Sequence, residues 1–381
     1  MENHEEIKKE KNTSQTGKLF LVGVVMFFVG AIGLYALMYF FPEPFVKTIT
    51  EEVKNVNITD TGIADAVEKI YDAVVVVKTY QKNQLYATGT GFVYKKDDNT
   101  AYILTNNHVI ESGDAIYVVF NDGRQVETHV EGKDIYSDIA VLSLNADEVS
   151  TVAKMGSSED ARIGDTVFTV GAPIDSDAYS GTVTRGILSG KNRLVGVSTQ
   201  NSNVSDIMMS VLQTDAAINS GNSGGPLVNA NGEVIGITSL KLSSSGSLST
   251  ASIEGMGFAI PIETALSYAE KLEKGATIER PSLGISMTNL ADAISYHFPS
   301  LNGLDVDYGV YVESVVDNSP ADKGGIKAGD VITEVDGKEV TNLAYLRYLL
   351  YNHSVGDTMK VKVYRDGDYK ELNITLDQKA S

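Results

Sequence analysis

The chain has 381 residues, 43% of them hydrophobic, with a net charge of −19 and no cysteine. This length predicts two or three domains, and the hydrophobic content predicts folded cores instead of a disordered chain. The lack of cysteine excludes disulfides, zinc–thiolate and iron–sulfur sites, and a cysteine nucleophile. Residues 1–60, 61–280 and 281–381 are each net acidic, so no part of the chain has the basic balance that nucleic acid requires, and we expect no nucleic-acid partner.

The first predicted element is a transmembrane helix at residues 19–41. These 23 residues carry no charge and, at about 1.5 Å per residue, span roughly 34 Å, enough to cross a bilayer core. Lysines are more frequent before this segment than after it, which places a tail of residues 1–18 in the cytoplasm and the rest of the chain outside. A cleaved signal peptide is the main alternative, but the segment ends in bulky residues and not in a small-residue cleavage site. We therefore interpret it as an uncleaved, single-pass anchor in the cell membrane.

A linker is predicted at residues 42–62, followed by a β-rich domain at residues 63–275. The domain begins with a short helical pattern and ends with a helix at about 263–274. Its strand-like runs have little helix between them, which indicates an all-β barrel or sandwich, and Asp122-Gly123 is a typical hairpin turn. The runs are AVVVVKTY, GTGFVY, AYILTNNHVI, AIYVVF, DTVFTVGAP, PLVNANGEVIGIT and GMGFAIP.

The last part of the chain, residues 281–378, predicts a second and smaller domain. Most of it reads as strands, with a hairpin turn at Asp366-Gly367. Thr341 or Asn342 is a suitable cap for one helix that continues to Leu350.

The strongest chemical signal is the sequence GNSGGP, which begins at Gly221 and contains Ser223. A serine hydroxyl needs a base to become a nucleophile, and backbone N–H groups to stabilise the oxyanion that it creates. We expect the oxyanion hole at Gly221, Asn222 and Ser223, with the N–H groups of Gly221 and Ser223 as donors. The alternatives are a glycine-rich turn with an incidental serine, or the nucleophile elbow of an α/β-hydrolase. The elbow requires a following helix, whereas PLVNANGEVIGIT predicts a hairpin.

The best candidate for the base is His108, one of only five histidines. His4 precedes the membrane segment, and His297 and His353 lie in the C-terminal domain. His129 lies in an alternating polar strand that predicts an exposed side chain. His108 follows the apolar run AYILT where the chain becomes polar, as expected for a catalytic residue at the end of a barrel.

The carboxylate that orients the histidine is best assigned to Asp138, in the sequence SDIAVL. An acid at the start of an apolar strand becomes partly buried, where it fixes the imidazole tautomer and stabilises the imidazolium. Asp134 and Asp147 are the rival acids, but their surroundings are more polar.

These motifs, TNNHVI, SDIAVL and GNSGGPLVN in the order His, Asp, Ser, resemble those of chymotrypsin-like serine proteases, and more narrowly those of the HtrA/Deg family. The resemblance extends over residues 64–378. It implies a mainly β fold, in which a double β-barrel of two six-stranded barrels is followed by a PDZ domain at 281–378. It also implies His108 as general base, Asp138 as its orienting group and Ser223 as nucleophile.

The resemblance further implies a homotrimer, assembled near Ile70 and Tyr71, and two long loops at residues 171–201 and 241–254 that act as activation switches. Ala217 takes the place of the floor of the primary substrate pocket, and an apolar pocket is expected. The expected pocket walls are Ile237, Thr238, Ser239 and Leu240.

Leu283, Gly284 and Ile285 match the loop of a PDZ domain that binds the terminal carboxylate of a peptide. A generic small β domain is the alternative interpretation, in which Leu283 and Ile285 are ordinary core residues. We expect no metal and no cofactor, because the sequence contains neither a metal-binding cluster nor a nucleotide-binding motif.

Two functional hypotheses follow. In the first, the chain is a membrane-anchored, ATP-independent serine endopeptidase. It degrades misfolded or unfolded proteins outside the cytoplasm in protein quality control and stress response, and its PDZ domain binds peptide C-termini. In the second, it is a chaperone or PDZ adaptor whose main role is binding.

Overall fold

A computed structural model of the chain describes residues 13–40, 60–171, 181–198, 206–244, 255–295, 301 and 304–380. The chain divides into two compact units, Met1–Asn55 and Val56–Ser381. Residues 1–12 of the predicted cytoplasmic tail and most of the predicted linker lie outside the described residues, whereas residues 13–18 of the predicted tail already belong to a helix.

The first unit contains one long helix, α1 (Thr13–Phe40). Its segment Lys18–Phe40 is long and apolar enough to cross a membrane, and it is not buried. Residue 41, the last of the predicted span, lies outside the described residues. Large side chains such as Phe20 and Tyr39 are more than two-thirds exposed, which is the pattern of a helix suited to a lipid environment.

The second unit begins with α2 (Asp60–Tyr71), whose first three residues fall within the predicted linker. Six antiparallel strands then close into the first barrel in the order β1-β2-β3-β6-β5-β4. Their bounds, with the short helices between them, are β1 (Val74–Gln81), β2 (Gln84–Lys96), β3 (Thr100–Asn106), α3 (Asn107–Ile110), β4 (Ala115–Val119), β5 (Gln125–Asp134), β6 (Ile139–Asn145) and a 3₁₀ turn (Ala146–Glu148).

The second barrel is a ring of six strands, β8-β9-β10-β13-β12-β11, closed by the pairing of β11 with β12; β7 adds to the ring beside β12 in parallel. The elements are β7 (Lys154–Met155), β8 (Thr166–Gly171), β9 (Thr182–Val197), β10 (Ile207–Thr214), β11 (Pro226–Asn229), β12 (Glu233–Thr238), α4 (Leu240–Ser244), β13 (Gly257–Pro261) and α5 (Ile262–Leu272). The expected two six-stranded barrels are therefore confirmed.

The prediction of a long loop at residues 171–201 is wrong for most of that range. The 16-residue strand β9 occupies its centre and pairs with both β8 and β10. The apolar residues of β9 do not alternate regularly with polar ones, and Val183, Ile187 and Leu194 are exposed, so the strand lacks the pattern that marks a half-buried strand in a sequence. Hydrogen bonds to β8 and β10 stabilise β9 as a strand even though its sequence pattern is weak. Most of the second expected loop, residues 245–254, lies outside the described residues.

The C-terminal domain is a single antiparallel sheet in the order β14-β15-β16-β18-β19, with β17 paired to β16. Asn342, one of the two expected caps, accepts a hydrogen bond from the Tyr345 N–H and begins α8. The elements are β14 (Ile285–Asn289), α6 (Leu290–Ser295), β15 (Val310–Val315), α7 (Pro320–Gly324), β16 (Val331–Val335), β17 (Lys338–Glu339), α8 (Leu343–Tyr351), β18 (Thr358–Arg365) and β19 (Asp368–Thr375).

Candidate active site

His108 and Asp138 form a close pair between β3 and β6. The Asp138 carboxylate lies 2.8 Å (Oδ2) and 3.0 Å (Oδ1) from His108 Nδ1, and Oδ1 also accepts the His108 backbone N–H at 3.0 Å. The Asp138 side chain is 2% exposed and that of His108 is 22% exposed. A carboxylate only accepts hydrogen bonds, so Nδ1 carries the proton and Nε2 of the neutral ring is left as a base.

Local structure explains why these two residues meet. β3 pairs with β6 in register, with Asn106 opposite Ile139, so the end of β3 and the start of β6 lie side by side. His108 lies on α3, directly after β3. Asp138 adopts a left-handed backbone conformation (φ 56°), and its carbonyl accepts hydrogen bonds from the Asn106 side chain at 2.9 Å and the Asn107 N–H at 3.1 Å. These bonds offset the cost of the left-handed conformation.

Ser239 has a role in this pair that the sequence did not indicate. It was expected as a pocket wall, but it is fully buried and its hydroxyl donates a hydrogen bond to Asp138 Oδ2 at 3.1 Å. It follows β12, in the second barrel, whereas Asp138 belongs to the first. The pair His108–Asp138 is thus fixed from both barrels.

The turn that carries Ser223 is also held from both barrels. Thr90 of β2 donates from its N–H to Ser223 O at 2.8 Å and from its hydroxyl to Gly221 O at 2.6 Å. From the second barrel, Thr238 accepts the Gly224 N–H and donates its hydroxyl to Asn222 O. Gly224 has a left-handed backbone (φ 84°), and a Cβ there would lie 2.2 Å from Thr90 O, so the motif requires glycine at this position.

The Ser223 hydroxyl accepts a hydrogen bond from the Leu240 N–H at 3.0 Å. In the described part of the chain, no hydrogen bond joins this hydroxyl to the His108 ring. The backbone N–H groups of Gly221 and Ser223 likewise have no acceptor among the described residues. The N–H of Asn222, also assigned to the oxyanion hole, donates to the carbonyl of Asn219 at 3.0 Å. The N–H groups of Gly221 and Ser223 therefore remain beside the Ser223 hydroxyl without an acceptor among the described residues.

The other residues expected at the substrate pocket have different surroundings. Ala217 is exposed, and its carbonyl accepts a hydrogen bond from Thr184 Oγ1 at 2.8 Å. Leu240 is partly exposed at the start of α4. Ile237 is fully buried in a hydrophobic core of the two barrels, and Thr238 supports the turn that carries Ser223. Of the expected pocket residues, Ala217 and Leu240 are accessible to a substrate.

The residues expected to bind a peptide terminus lie at the start of the C-terminal sheet. Leu283 is 2% exposed within the domain core, and its carbonyl accepts the Ala321 N–H. The Gly284 N–H donates to Ser282 Oγ at 3.2 Å, and Ile285 begins β14 with its side chain partly buried. Among the described strands, β14 pairs only with β15, so its other edge is open to a peptide strand.

Comparisons with known proteins agree with this fold. The model of the trypsin-like peptidase domain family matches residues 89–237, and the PDZ domain model matches residues 281–376. Together with the double barrel, these matches define the class: the chain is a serine endopeptidase of trypsin-like fold joined to a PDZ domain.

Similar proteins identify the family within this class. The chain is 40% identical over 334 residues to serine protease Do-like HtrB of Bacillus subtilis (strain 168), which covers 83% of this chain and 71% of the relative. It also matches the crystal structure of the serine endoprotease from Yersinia pestis, with a TM-score of 0.60, 30% identity and coverage of 84% of this chain and 98% of that one. The HtrA-type protease AlgW with a decapeptide matches with a TM-score of 0.61, 27% identity and coverage of 82% and 97%. The chain belongs to the HtrA family of serine proteases.

Proposed function

We propose that His108, Asp138 and Ser223 are the catalytic triad of a membrane-anchored endopeptidase that degrades unfolded proteins outside the cytoplasm. The observation that carries this proposal is the buried Asp138 carboxylate, which holds the Nδ1 side of His108 and leaves Nε2 available as a base. This is the arrangement that a serine nucleophile needs.

The chemistry is acyl transfer in two halves. Ser223 Oγ rotates away from the Leu240 N–H, passes its proton to His108 Nε2 and attacks the carbonyl carbon of the scissile bond. The resulting oxyanion is stabilised by the N–H groups of Gly221 and Ser223. As the C–N bond breaks, His108 returns the proton to the leaving amine. Water then attacks the acyl ester by the reverse sequence, with the same base, and releases Ser223.

The PDZ domain supplies substrate binding in this proposal. A peptide adds as a strand to the open edge of β14, and its terminal carboxylate lies against the loop at Leu283, Gly284 and Ile285. The solved structure of AlgW with a decapeptide supports a peptide-binding role for this family. Extended peptides and C-termini are the form that unfolded proteins present, which fits a role in quality control and stress response.

The helix α1 supports the anchored location, since its segment Lys18–Phe40 can cross a membrane. The excess of lysines on the N-terminal side favours a cytoplasmic N-terminus and a catalytic domain on the outer side. Assembly as a homotrimer through the region near Ile70 and Tyr71 belongs to the same proposal, by analogy with the family.

A second candidate function is that of a chaperone or PDZ adaptor. The observation that favours it is the Ser223 hydroxyl, which is held by the Leu240 N–H and not by His108. In this alternative, binding of unfolded chains is the main role and proteolysis is secondary.

The test is digestion of casein, an unfolded protein, by the full chain and by Ser223→Ala. We expect Ser223→Ala to lower the rate by about 10⁴-fold or more, because the triad acts as a unit. Equal cleavage by both proteins would contradict the triad, and no cleavage by either, with casein still bound, would favour the binding role.

Mass spectrometry of the same digests identifies the side chains before each cleaved bond. Apolar residues there support the pocket at Ala217 and Leu240, whereas mainly Lys or Arg would contradict it.

A further inference from the structure

Thr90 is a buried threonine of the first barrel, only 1% exposed, that contacts the turn carrying Ser223. Its hydroxyl donates to Gly221 O at 2.6 Å, and its backbone N–H donates to Ser223 O at 2.8 Å. The backbone contact can be made by any residue with an N–H group, whereas the first contact needs a side-chain hydroxyl. A substitution at this position can therefore remove the contact to Gly221 and leave the contact to Ser223 in place.

The peptide group between Gly221 and Asn222 is held on both sides. Its carbonyl accepts the Thr90 hydroxyl, and its N–H donates to Asn219 O at 3.0 Å. A trans peptide group is planar, with its carbonyl and its N–H on opposite sides, so these two hydrogen bonds together fix the rotation of the whole plane.

The two N–H groups proposed for the oxyanion hole lie on either side of this peptide group. The Ser223 N–H follows it, and its own peptide group has a separate support, because Asn222 O accepts the Thr238 hydroxyl at 2.7 Å. The Gly221 N–H precedes it. Gly221 has a left-handed backbone (φ 101°), and a residue without a Cβ has several such conformations open to it. The direction of the Gly221 N–H therefore depends on the peptide group that Thr90 holds.

The Thr90 side chain has little freedom to move. Its carbonyl accepts the Thr105 hydroxyl from β3 at 2.8 Å, and Thr90 pairs with Val76 of β1. A Cβ at Gly171 would lie 3.0 Å from Thr90 Oγ1, and a Cβ at Gly225 would lie 3.1 Å from its methyl carbon. Because a threonine side chain also prefers few rotamers, the hydroxyl is directed at Gly221 O by its surroundings.

We propose that Thr90 is a positioning residue for the oxyanion hole. Its hydroxyl holds the peptide group between Gly221 and Asn222 so that the Gly221 N–H is directed at the oxyanion of the tetrahedral intermediate. This inference rests on the triad and the oxyanion hole proposed above. If the hydroxyl only satisfied a buried carbonyl, its loss would lower stability without changing the affinity for an oxyanion.

The test is a set of full-length variants with unfolded casein as substrate. In Thr90→Val a methyl group replaces the hydroxyl and cannot lie 2.6 Å from a carbonyl oxygen, so the peptide group rotates. We expect kcat to fall by about 10- to 100-fold, part of the cost of losing an oxyanion donor, with KM changed less than about twofold. Thr90→Ser keeps the hydroxyl and should stay within about threefold of the wild-type kcat.

Thr333→Val is the matched control. Thr333 is 2% exposed and donates its hydroxyl to Lys362 O at 3.2 Å within the PDZ domain. The same substitution there removes a comparable hydrogen bond away from Ser223, and kcat should stay within about twofold of the wild type.

A second measurement separates positioning from a loss of folded protein. A peptide boronic acid with a valine side chain next to boron forms a tetrahedral, negatively charged adduct with a serine hydroxyl, and so mimics the intermediate. We expect its inhibition constant to rise in Thr90→Val by about the factor by which kcat/KM falls, and to be unchanged in Thr333→Val. If Thr90→Val does not fold, Thr90→Ala removes the hydroxyl without adding a methyl in its place, and its comparison with Thr90→Ser gives the same test.

Three results would overturn the inference: a folded Thr90→Val with the wild-type kcat, an equal loss of kcat in Thr90→Ser, or a loss of kcat with unchanged affinity for the boronic acid. If Ser223→Ala is inactive and Thr90→Val is fully active, only this inference fails. If Ser223→Ala keeps wild-type activity, the proposed triad fails as well.

Discussion

At the scale of single residues, Asp138 organises the candidate active site. Its carboxylate accepts hydrogen bonds from His108 and Ser239, and its carbonyl holds Asn106 and Asn107. This network requires a carboxylate in that place, because an amide would present a donor to His108 Nδ1 or reverse the tautomer of the ring.

We therefore expect Asp138→Asn to lower kcat on casein by about 10⁴-fold while leaving the fold intact, since the side chain keeps its size. The measurement is the steady-state rate together with the circular dichroism spectrum. Asp147→Asn is the control, because Asp147 is one of the two rival acids and follows the far end of β6, away from His108. Its rate should equal that of the wild type. The assignment of the orienting acid would be wrong if Asp147→Asn were the inactive variant.

At the scale of elements, α5 is attached to the second barrel through its first turn. Glu263 accepts hydrogen bonds from the Ser158 N–H at 2.7 Å and from the Ser158 hydroxyl. Burial by itself raises the pKa of Glu263, but the bonds from Ser158 outweigh it and keep the pKa below its ordinary value. The charge also lies at the favourable, positive end of the helix dipole. The ionised carboxylate therefore stabilises the folded state.

We expect Glu263→Gln to lower the free energy of unfolding by about 1–2 kcal/mol at pH 7, because a charged acceptor becomes a neutral one. The folded-state pKa is lowered, so the contribution is complete above the unfolded value of about 4.3 and disappears as the pH falls through the folded value. Urea unfolding at pH 7 and at acidic pH measures the difference. Glu270→Gln on the exposed face of α5 is the control and should change stability little at either pH. A deficit in Glu263→Gln that stayed constant with pH would contradict this account.

Strand β9 is an element that could not be predicted from the sequence. Runs such as AVVVVKTY and the turn Asp122-Gly123 predicted β1 and the β4–β5 hairpin, because apolar alternation and turn chemistry are local properties. β9 has no regular alternation of apolar and polar residues, and the segment was expected as a loop. Its strand conformation depends on hydrogen bonds to β8 and β10 on its two edges. Because these partner strands lie outside the segment, the sequence of the segment alone does not predict them.

At the scale of the whole molecule, the chain combines a helix able to cross a membrane with a protease and a PDZ domain. The units Met1–Asn55 and Val56–Ser381 are separately compact, so the catalytic part does not depend on the helix for its core. We therefore expect the proposed anchoring to restrict where substrates are met without altering the chemistry.

We expect deletion of residues 1–55 to move the protein from the membrane pellet to the soluble fraction, with kcat on casein within about twofold of the full chain. Carbonate extraction followed by centrifugation measures the first effect and the casein digest the second. Full-length Ser223→Ala, which keeps the helix, should stay in the pellet. An intact chain found in the supernatant would contradict the anchor, and a soluble chain shortened by the length of the helix would favour a cleaved leader.

The sequence by itself determined the family, the order of the domains, a segment long and apolar enough to cross a membrane, and the three residues of the proposed triad. These depend on local features: a long uncharged run, turn dipeptides, and motifs in which each residue type has a chemical reason. Only the tertiary structure revealed Ser239 on Asp138 and Arg280 on Asp134, contacts between residues separated by 101 and 146 positions. Neither residue has a distinguishing sequence context. Ser239 reaches Asp138 and Arg280 reaches Asp134 because the fold brings residues that are distant in the sequence to these buried carboxylates. Contacts of this kind leave no periodic pattern in a single sequence.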